Sequence, residues 1–503
     1  MKFELKKTRL YTLILFNLIA FFYILINSMI RVTNLATEIF MLISFLTFIA
    51  DMVYAAFTKN RWGLYANAGI MLLLFVDFGS VQLSSLPAFI NSLPVVGIIA
   101  LLFIPIAGIA TAIPEALGIP DNFKINAKFD NVFRRVLAVF IPFAFLFTAF
   151  CGYNAILGGG GYLKYFTDFA QMYLLVVSIN LFLTFVRLYR DSKKKLRDMT
   201  AALVIAMFLI TFVSFAFRES LVVGYNITKT DAVKTGGLRR YPYSFTDSFL
   251  GVETKGIAVE KDVVYYVSDK NGDRGLALKY DMYYPVFDGA VKSVIVNIHG
   301  RGADKGFMNM SGRSKYFASL GYVVYDIQVG DYSESGTNYT AGVVSDSAYM
   351  LPHISEFFKY AVAHNEAGAN FSSAFVMGVS MGGSLTLKFA ISYENGLEEL
   401  GVDIKGIMPC YPGYWPNEEN DWDDYAGKID ADTVPCLLSM GRQDEIVIPD
   451  AIDIIGELYD GAGNQGFEGV GFQFAGHACD FNFTGPENQV IIYRMERFML
   501  KYR

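Results

Sequence analysis

Apolar residues fill the first 217 positions in blocks of about 20, the length that crosses the ~30 Å hydrocarbon core of a bilayer as a helix. Seven such blocks, at 10–30, 37–57, 62–80, 92–113, 134–156, 167–188 and 199–217, predict an all-α transmembrane bundle. Asp77 interrupts the third block, and Pro94, Pro105 and Pro114 punctuate the fourth. After Arg218 the pattern changes. Two β-rich runs, 256–268 and 275–285, flank the turn Lys270-Asn271-Gly272-Asp273 and read as an antiparallel pair. Nearly continuous apolar runs then follow at 291–300, 321–328, 373–380, 404–412, 434–441 and 470–477, bounded by Gly and separated by helical stretches such as 347–364 and 384–396. Strands buried on both faces and alternating with helices predict a doubly wound, mostly parallel α/β sheet.

Charge sharpens this division. Up to Phe217 there are 18 Lys and Arg against 10 Asp and Glu, whereas the remainder holds 24 against 38. Basic residues in short loops stay cytoplasmic. With the N-terminus inside, sixteen of the first eighteen obey one topology, including Lys2, Lys6, Lys7, Arg9 and the run from Arg187 to Arg197; only Arg31 and Lys164 face out. An odd number of spans then places everything after Phe217 outside the cytoplasm, in the plasma membrane. The first block lacks a short apolar core and a small-residue cleavage site, so it reads as an uncleaved signal anchor. Asp51, Asp77 and Asn180 lie within spans. Such carboxylates suit a proton or ion pathway, or else rest neutral or hydrogen-bonded inside the bundle. The tetraglycine Gly158 to Gly161 reads as a flexible outer loop.

At 503 residues the chain has length for about three soluble domains, but the pattern supports two functional units. These are a helical membrane domain over 1–217 and a catalytic domain over 251–503, with a linker at 218–250. Hydrophobic residues make up 53% and charged residues 18%, against ~25% charged in ordinary globular proteins, with a mean hydropathy of +0.35. With 15 Pro, 4 Cys and no Gly-X-Y period, disordered, collagen-like and disulfide-framework classes are excluded. A net charge of -6 without a basic stripe argues against nucleic acid as a partner.

Three features of the second unit carry chemistry. Gly378-Val379-Ser380-Met381-Gly382-Gly383 lies between an apolar strand and a helix. Gly378 and Gly382 permit a sharp turn that exposes the Ser380 hydroxyl and puts the Met381 N–H at a helix N-terminus, where it can stabilise an oxyanion. The alternative is a plain Gly-rich turn of the phosphate-binding type. Asp444 follows a buried strand in LLSMGRQDEIVIP, where a carboxylate can orient a histidine; Glu445 and Asp450 compete for that role. His477 in GFQFAGHACDF is the expected general base among only four histidines. His353 and His364 sit on one predicted helix as surface or capping residues, and His299 braces the turn at Gly300.

The order Ser380, Asp444, His477 resembles the α/β-hydrolase superfamily, and His299-Gly300-Arg301-Gly302 is similar to the His-Gly oxyanion loop of its esterase and lipase branch. The resemblance covers about 250–503. It implies an oxyanion hole built from the Met381 N–H and an N–H of Arg301 or Gly302. Arg301 replaces the second glycine of the HGGG form, and Val379 and Met381 stand where many of these esterases carry an acidic residue and Ala. The membrane half resembles no recognised family.

Seven acids between Glu418 and Asp432 share a stretch with Trp415 and Trp422, which reads either as a small cap for a sugar or cationic group or as a solvated loop. Calcium is not supported by any EF-hand spacing. Cys410 and Cys436 fall at opposite ends of their strands and do not bridge, while Cys410 and Cys479 share the catalytic edge and either pair or stay free. The expectation is a membrane-tethered serine carboxylic-ester hydrolase with neither metal nor cofactor, its partners the bilayer and an ester-bearing lipid, glycan or small molecule. An acyltransferase or peptidase with the same triad, and a transporter or sensor carrying a hydrolase-like outer domain, are the alternatives.

Overall fold

A computed structural model describes residues 2–30, 35–58, 63–83, 93–117, 127–157, 162–189, 205–218, 239, 241–268, 276–287, 289–290, 292–301, 303–306, 310–330, 347–392, 397–413 and 427–503. The chain forms two compact units, one comprising Met1–Ser84, Phe89–Leu221 and Tyr243–Val252, the other chiefly Glu253–Arg503.

The first unit is helical, with α1 (Lys2–Ile30), α2 (Leu35–Phe57), α3 (Gly63–Leu83), α4 (Leu93–Ala116), α5 (Ala127–Leu157), α6 (Tyr162–Tyr189), α7 (Ile205–Arg218) and α8 (Phe245–Leu250). Its polarity is inverted relative to a water-soluble bundle. Val139 is 77% exposed and Phe143 69%, while Asn17, Ser44 and Asp77 are fully buried. Apolar side chains therefore point outward and polar ones inward, as they do in a hydrocarbon surround. Ala20, Phe48, Met52, Leu101 and Ile104 pack the interior together with Phe249 and Leu250 of α8. Part of the stretch read as linker thus belongs to the bundle.

Among the described residues, four helices are long and apolar enough to cross a membrane: Thr8–Ile30, Leu35–Phe57, Val95–Ala116 and Asn131–Asn154. The other three expected spans appear as the shorter apolar helices Tyr65–Ser80, Tyr173–Leu188 and Ile205–Arg218, so the count of seven is not supported. Two of these carry polar residues that bond inside the bundle. Asn67 donates to Thr184 (2.9 Å), Asn180 donates to Asn67 (3.1 Å), and Arg187 donates to the carbonyl of Thr58. Gly158 to Gly161 lies outside the described residues.

The second unit is built on one eight-stranded sheet in the order β1-β2-β4-β3-β5-β6-β7-β8. Its strands are β1 (Ile257–Ser268), β2 (Leu276–Pro285), β3 (Ser293–Ile298), β4 (Val323–Ile327), β5 (Asn370–Val379), β6 (Ile404–Cys410), β7 (Cys436–Gly441) and β8 (Phe467–Phe472). The β1–β2 hairpin is antiparallel, β2 runs antiparallel to β4, and every other pairing is parallel. The expectation of a doubly wound, mostly parallel sheet holds. Helices α9 (Met310–Ser319), α10 (Ser347–Ala363), α11 (Met381–Ser392), α12 (Ala451–Gly461) and α13 (Pro486–Tyr502) cover it. Strands β3, β4 and β7 are buried at every position, which explains their unbroken apolar runs.

Alternation along β4 separates the two faces. Tyr325 joins Tyr280 against Phe357 of α10, whereas its neighbour Asp326 accepts a hydrogen bond from Ser314 of α9 (2.9 Å). Asp326 is fully buried and aligned across the sheet with Asp281 and Asn297. Burial, reinforced by the nearby Asp281 carboxylate, raises Asp326 from 3.8 to about 7 against the hydrogen bonds from Asn297 and Ser314. A raised acid favours the folded state only while it is protonated. Its contribution is complete below 3.8 and is lost as pH climbs toward 7. Asp326→Asn, tested by denaturant unfolding across pH, is expected to match wild type near pH ~4 and to exceed it at neutral pH by on the order of a few kcal/mol.

Candidate active site

The strand order reverses direction about β3 and β5, because the chain leaves β3 toward β4 on one side and leaves β5 toward β6 on the other. Ligand crevices in open α/β sheets open at the carboxyl ends of such a pair. His299 and Gly300 directly follow β3 there, and Ser380 directly follows β5.

Ser380 is held in the left-handed region, with φ 54°. The two flanking glycines make that turn possible by close approach rather than by their own dihedrals. A Cβ on Gly378 would collide with the Gly382 carbonyl, and a Cβ on Gly382 would collide with the carbonyls of Ile298 and His299. The elbow is pinned on both sides, since the Ser380 N–H donates to the Cys410 carbonyl (3.0 Å) and the Ser384 N–H donates back to Ser380 (3.1 Å). Met381 is the first residue of α11, so its N–H has no acceptor within the helix.

Ser380, Asp444 and His477 come from three strand ends and meet. His477 Nε2 lies 2.9 Å from Ser380 Oγ, and its Nδ1 lies 2.7 Å from Asp444 Oδ2. Both His477 and Asp444 are buried. The second carboxylate oxygen of Asp444 accepts the N–H groups of Ile446 (2.9 Å) and Val447 (3.0 Å), which fixes the plane of the acid. Among the competitors, Asp450 instead precedes α12, and Glu445 is exposed.

The loop after β3 reaches the same point. A Cβ on Gly300 would sit 3.4 Å from Ser380 Cβ, so the Arg301 backbone begins next to Ser380. The Arg301 side chain is exposed, and Gly302 lies outside the described residues. His299 is buried and braces this loop. It bonds with the Gly300 carbonyl through Nδ1 (2.9 Å) and accepts the Val329 N–H at Nε2 (3.1 Å). Burial pushes its pKa below the ordinary histidine value, which keeps the ring neutral and both bonds intact. Of the two helical histidines, His364 is exposed and stacked on Tyr360. His353 departs from the expected surface position. It is buried and accepts the Gly330 N–H (3.2 Å), because α10 turns that face toward the sheet.

A second layer escaped the sequence reading. Tyr411 follows β6 with φ 36°, sets its ring edge-on to His477 at 4.7 Å, and donates its hydroxyl to Asp480 (2.6 Å). Asp480 lies three positions beyond His477 and pairs with Arg313 of α9, which also donates to Asn488 (3.0 Å). Arg313 and Asp480 are both buried. A buried ion pair thus ties the histidine loop to α9 and α13. In sequence Arg313 is one of two basic residues in the stretch MSGRSKYFAS, which does not name its partner. Cys151, Cys410, Cys436 and Cys479 are free and buried, so no disulfide closes this edge. No group of three His, Cys, Asp or Glu among the described residues could hold a metal. Most of the acidic stretch with Trp415 and Trp422 falls outside them.

No family model matches the chain, and no curated protein matches it. Solved structures similar to it include a proposed dienelactone hydrolase from Klebsiella pneumoniae, at 17% identity and a TM-score of 0.39, covering 49% of this chain and 99% of that one. Esterase 2 of Thermogutta terrifontis is also similar. Its apo form has 20% identity and a TM-score of 0.38 over 50% of this chain and 96% of that one. Its butyrate-bound form has 21% identity and a TM-score of 0.38 over 50% and 95%.

Breaking a buried ion pair leaves the remaining charge uncompensated. Asp480→Asn is therefore expected to destabilise the second unit by about 3–5 kcal/mol. Urea unfolding of the purified full chain checks this, and Arg313→Met combined with Asp480→Leu is expected to cost less than Asp480→Asn alone.

Proposed function

We propose that the second unit is a serine carboxylic-ester hydrolase, anchored to the membrane by the first. The hydrogen-bonded chain from Asp444 through His477 to Ser380, ending on a strained strand-to-helix turn, is the observation that carries this reading. In the proposed mechanism His477 Nε2 takes the Ser380 proton as Oγ attacks the acyl carbon. Asp444 keeps the other ring nitrogen protonated and stabilises the imidazolium. The developing oxyanion is bound by the N–H groups of Met381 and Arg301, one from each strand end flanking the crevice. His477 then returns its proton to the leaving alcohol, and a water activated by the same base releases the acid and restores Ser380.

The neutral His299 supports the oxyanion loop by bonding at both ring nitrogens. Tyr411 and the Asp480–Arg313 pair position His477 from behind. The substrate is an ester of a lipid, a glycan or a small molecule. Four apolar helices of membrane-crossing length support tethering. In our reading α3, α6 and α7 complete a seven-span bundle, with the N-terminus cytoplasmic and the catalytic unit outside, as the distribution of Lys and Arg favours.

The test is labelling of intact cells with a membrane-impermeant fluorophosphonate. Wild type is expected to label and Ser380→Ala to remain unlabelled. Equal labelling of both sinks the nucleophile assignment, and labelling of wild type only after cell lysis sinks the outward orientation. On a soluble aryl ester, Ser380→Ala and His477→Ala are each expected to lower kcat by ~10⁴–10⁶-fold and Asp444→Asn by ~10⁴-fold, measured under saturating substrate.

A further inference from the structure

Two carboxylates of the first unit are spent on nothing the hydrolase reading uses. Asp51 of α2 is 2% exposed and Asp77 of α3 is fully buried, and neither has an ion-pair partner among the described residues. Asp51 Oδ1 accepts Asn17 Nδ2 of α1 (2.8 Å), a group also bonded to the Leu13 carbonyl. Asp77 Oδ2 accepts the Tyr173 hydroxyl of α6 (3.2 Å). The remaining oxygens, Asp51 Oδ2 and Asp77 Oδ1, have no hydrogen-bond partner, and neither has Asn17 Oδ1 beside Asp51.

Both acids press on glycines of one helix. The space a Cβ would take on Gly108 of α4 is filled by the Asp51 carboxylate; at Gly97 it is filled first by the Ser80 hydroxyl, which donates to the Asp77 carbonyl (2.8 Å), with Asp77 Oδ1 2.9 Å from that position. At 3.6 residues per turn, Gly97 and Gly108 are only about 20° apart around α4 and about 16 Å apart along it, roughly half the thickness of the hydrocarbon core. Glu115 continues the same stripe, where Thr58 donates to it (2.8 Å) and Tyr54 does likewise. Between the two acids, Pro105 lies inside α4 and lacks the N–H that would otherwise bond the Leu101 carbonyl. Arg187 of α6 is engaged by the carbonyls of Ala55, Ala56 and Thr58 and does not pair with Asp51.

We propose that Asp77, Asp51 and Glu115 mark a proton pathway along the glycine face of α4. Every unpartnered atom at the two buried acids is an acceptor, so what the sites lack is a donor. A bound proton supplies one and removes an otherwise uncompensated charge. A metal cation would need several oxygens converging on it. The partners here, Asn17 Nδ2 and the Tyr173 hydroxyl, instead present hydrogens to the carboxylates. The spacing along α4 calls for water between the sites as each acid binds and releases its proton in turn. This function is independent of the ester chemistry.

The full chain, reconstituted in liposomes that enclose a pH-sensitive dye, is driven by a potassium diffusion potential set with valinomycin. Wild type is expected to acidify the lumen faster than protein-free liposomes, and Asp51→Asn and Asp77→Asn are expected to fall to the protein-free rate while Asp51→Glu retains flux. Infrared spectra of wild type provide a readout that needs no variant, a protonated-carboxyl C=O band that fades as pH rises. Wild-type flux no faster than protein-free liposomes, both Asn variants matching wild type, or flux that follows sodium rather than protons would each overturn the proposal.

Discussion

The left-handed backbone of Ser380 is the constraint around which the second unit is arranged. A residue with a side chain resists that conformation, at a cost of about 1–3 kcal/mol when the surroundings enforce it. Here the end of β3 leaves room only for glycine at 382, the Gly382 carbonyl leaves room only for glycine at 378, and the Cys410 carbonyl at the end of β6 crowds Gly383. Two further residues with side chains hold positive φ beside the site, Tyr411 at 36° and Ala478 at 55°, the latter immediately after His477. The three positions are the serine itself, the residue after β6 and the residue after His477, and each follows a strand of the sheet.

Polar groups under that sheet are handled in two ways. Arg313 and Asp480 are desolvated together, and Asn488 and Tyr411 occupy further hydrogen-bonding positions around them. Asp326 has no such counter-ion in contact and is relieved by taking up a proton. The first arrangement fixes a loop that carries a functional side chain, whereas the second trades stability against pH. An ion-paired group, Arg313, and an acid without a counter-ion in contact, Asp326, thus lie under one sheet, around the same helix α9.

The first unit inverts the usual distribution of polarity. Its outward side chains are apolar and its polar residues are interior, so its hydrogen bonds run between helices: Asn17 with Asp51, Asn67 with Thr184, and Tyr173 with Asp77. Such bonds specify helix neighbours where burial of apolar surface cannot, since lipid is as apolar as the helices themselves. Among the described residues, four helices have the length and apolar character to cross a membrane, and three shorter apolar helices accompany them.

Local pattern alone was enough for the two-unit division, the alternation of strands and helices, and the positions of Ser380, Asp444 and His477. Each depends on neighbours a few residues away: an apolar run, a glycine, a turn. That His299 braces the turn at Gly300 was legible for the same reason, because its partner Gly300 is adjacent. Whether Asp444 rather than Glu445 meets His477, that His353 turns inward, and that Asp480, Arg313 and Tyr411 form one network depended on contacts between residues far apart in the chain. The tertiary structure also decided that Asp51 and Asp77 face two glycines on one side of α4. Sequence records the period of each helix but not its rotation against its neighbours, and that rotation is set by packing.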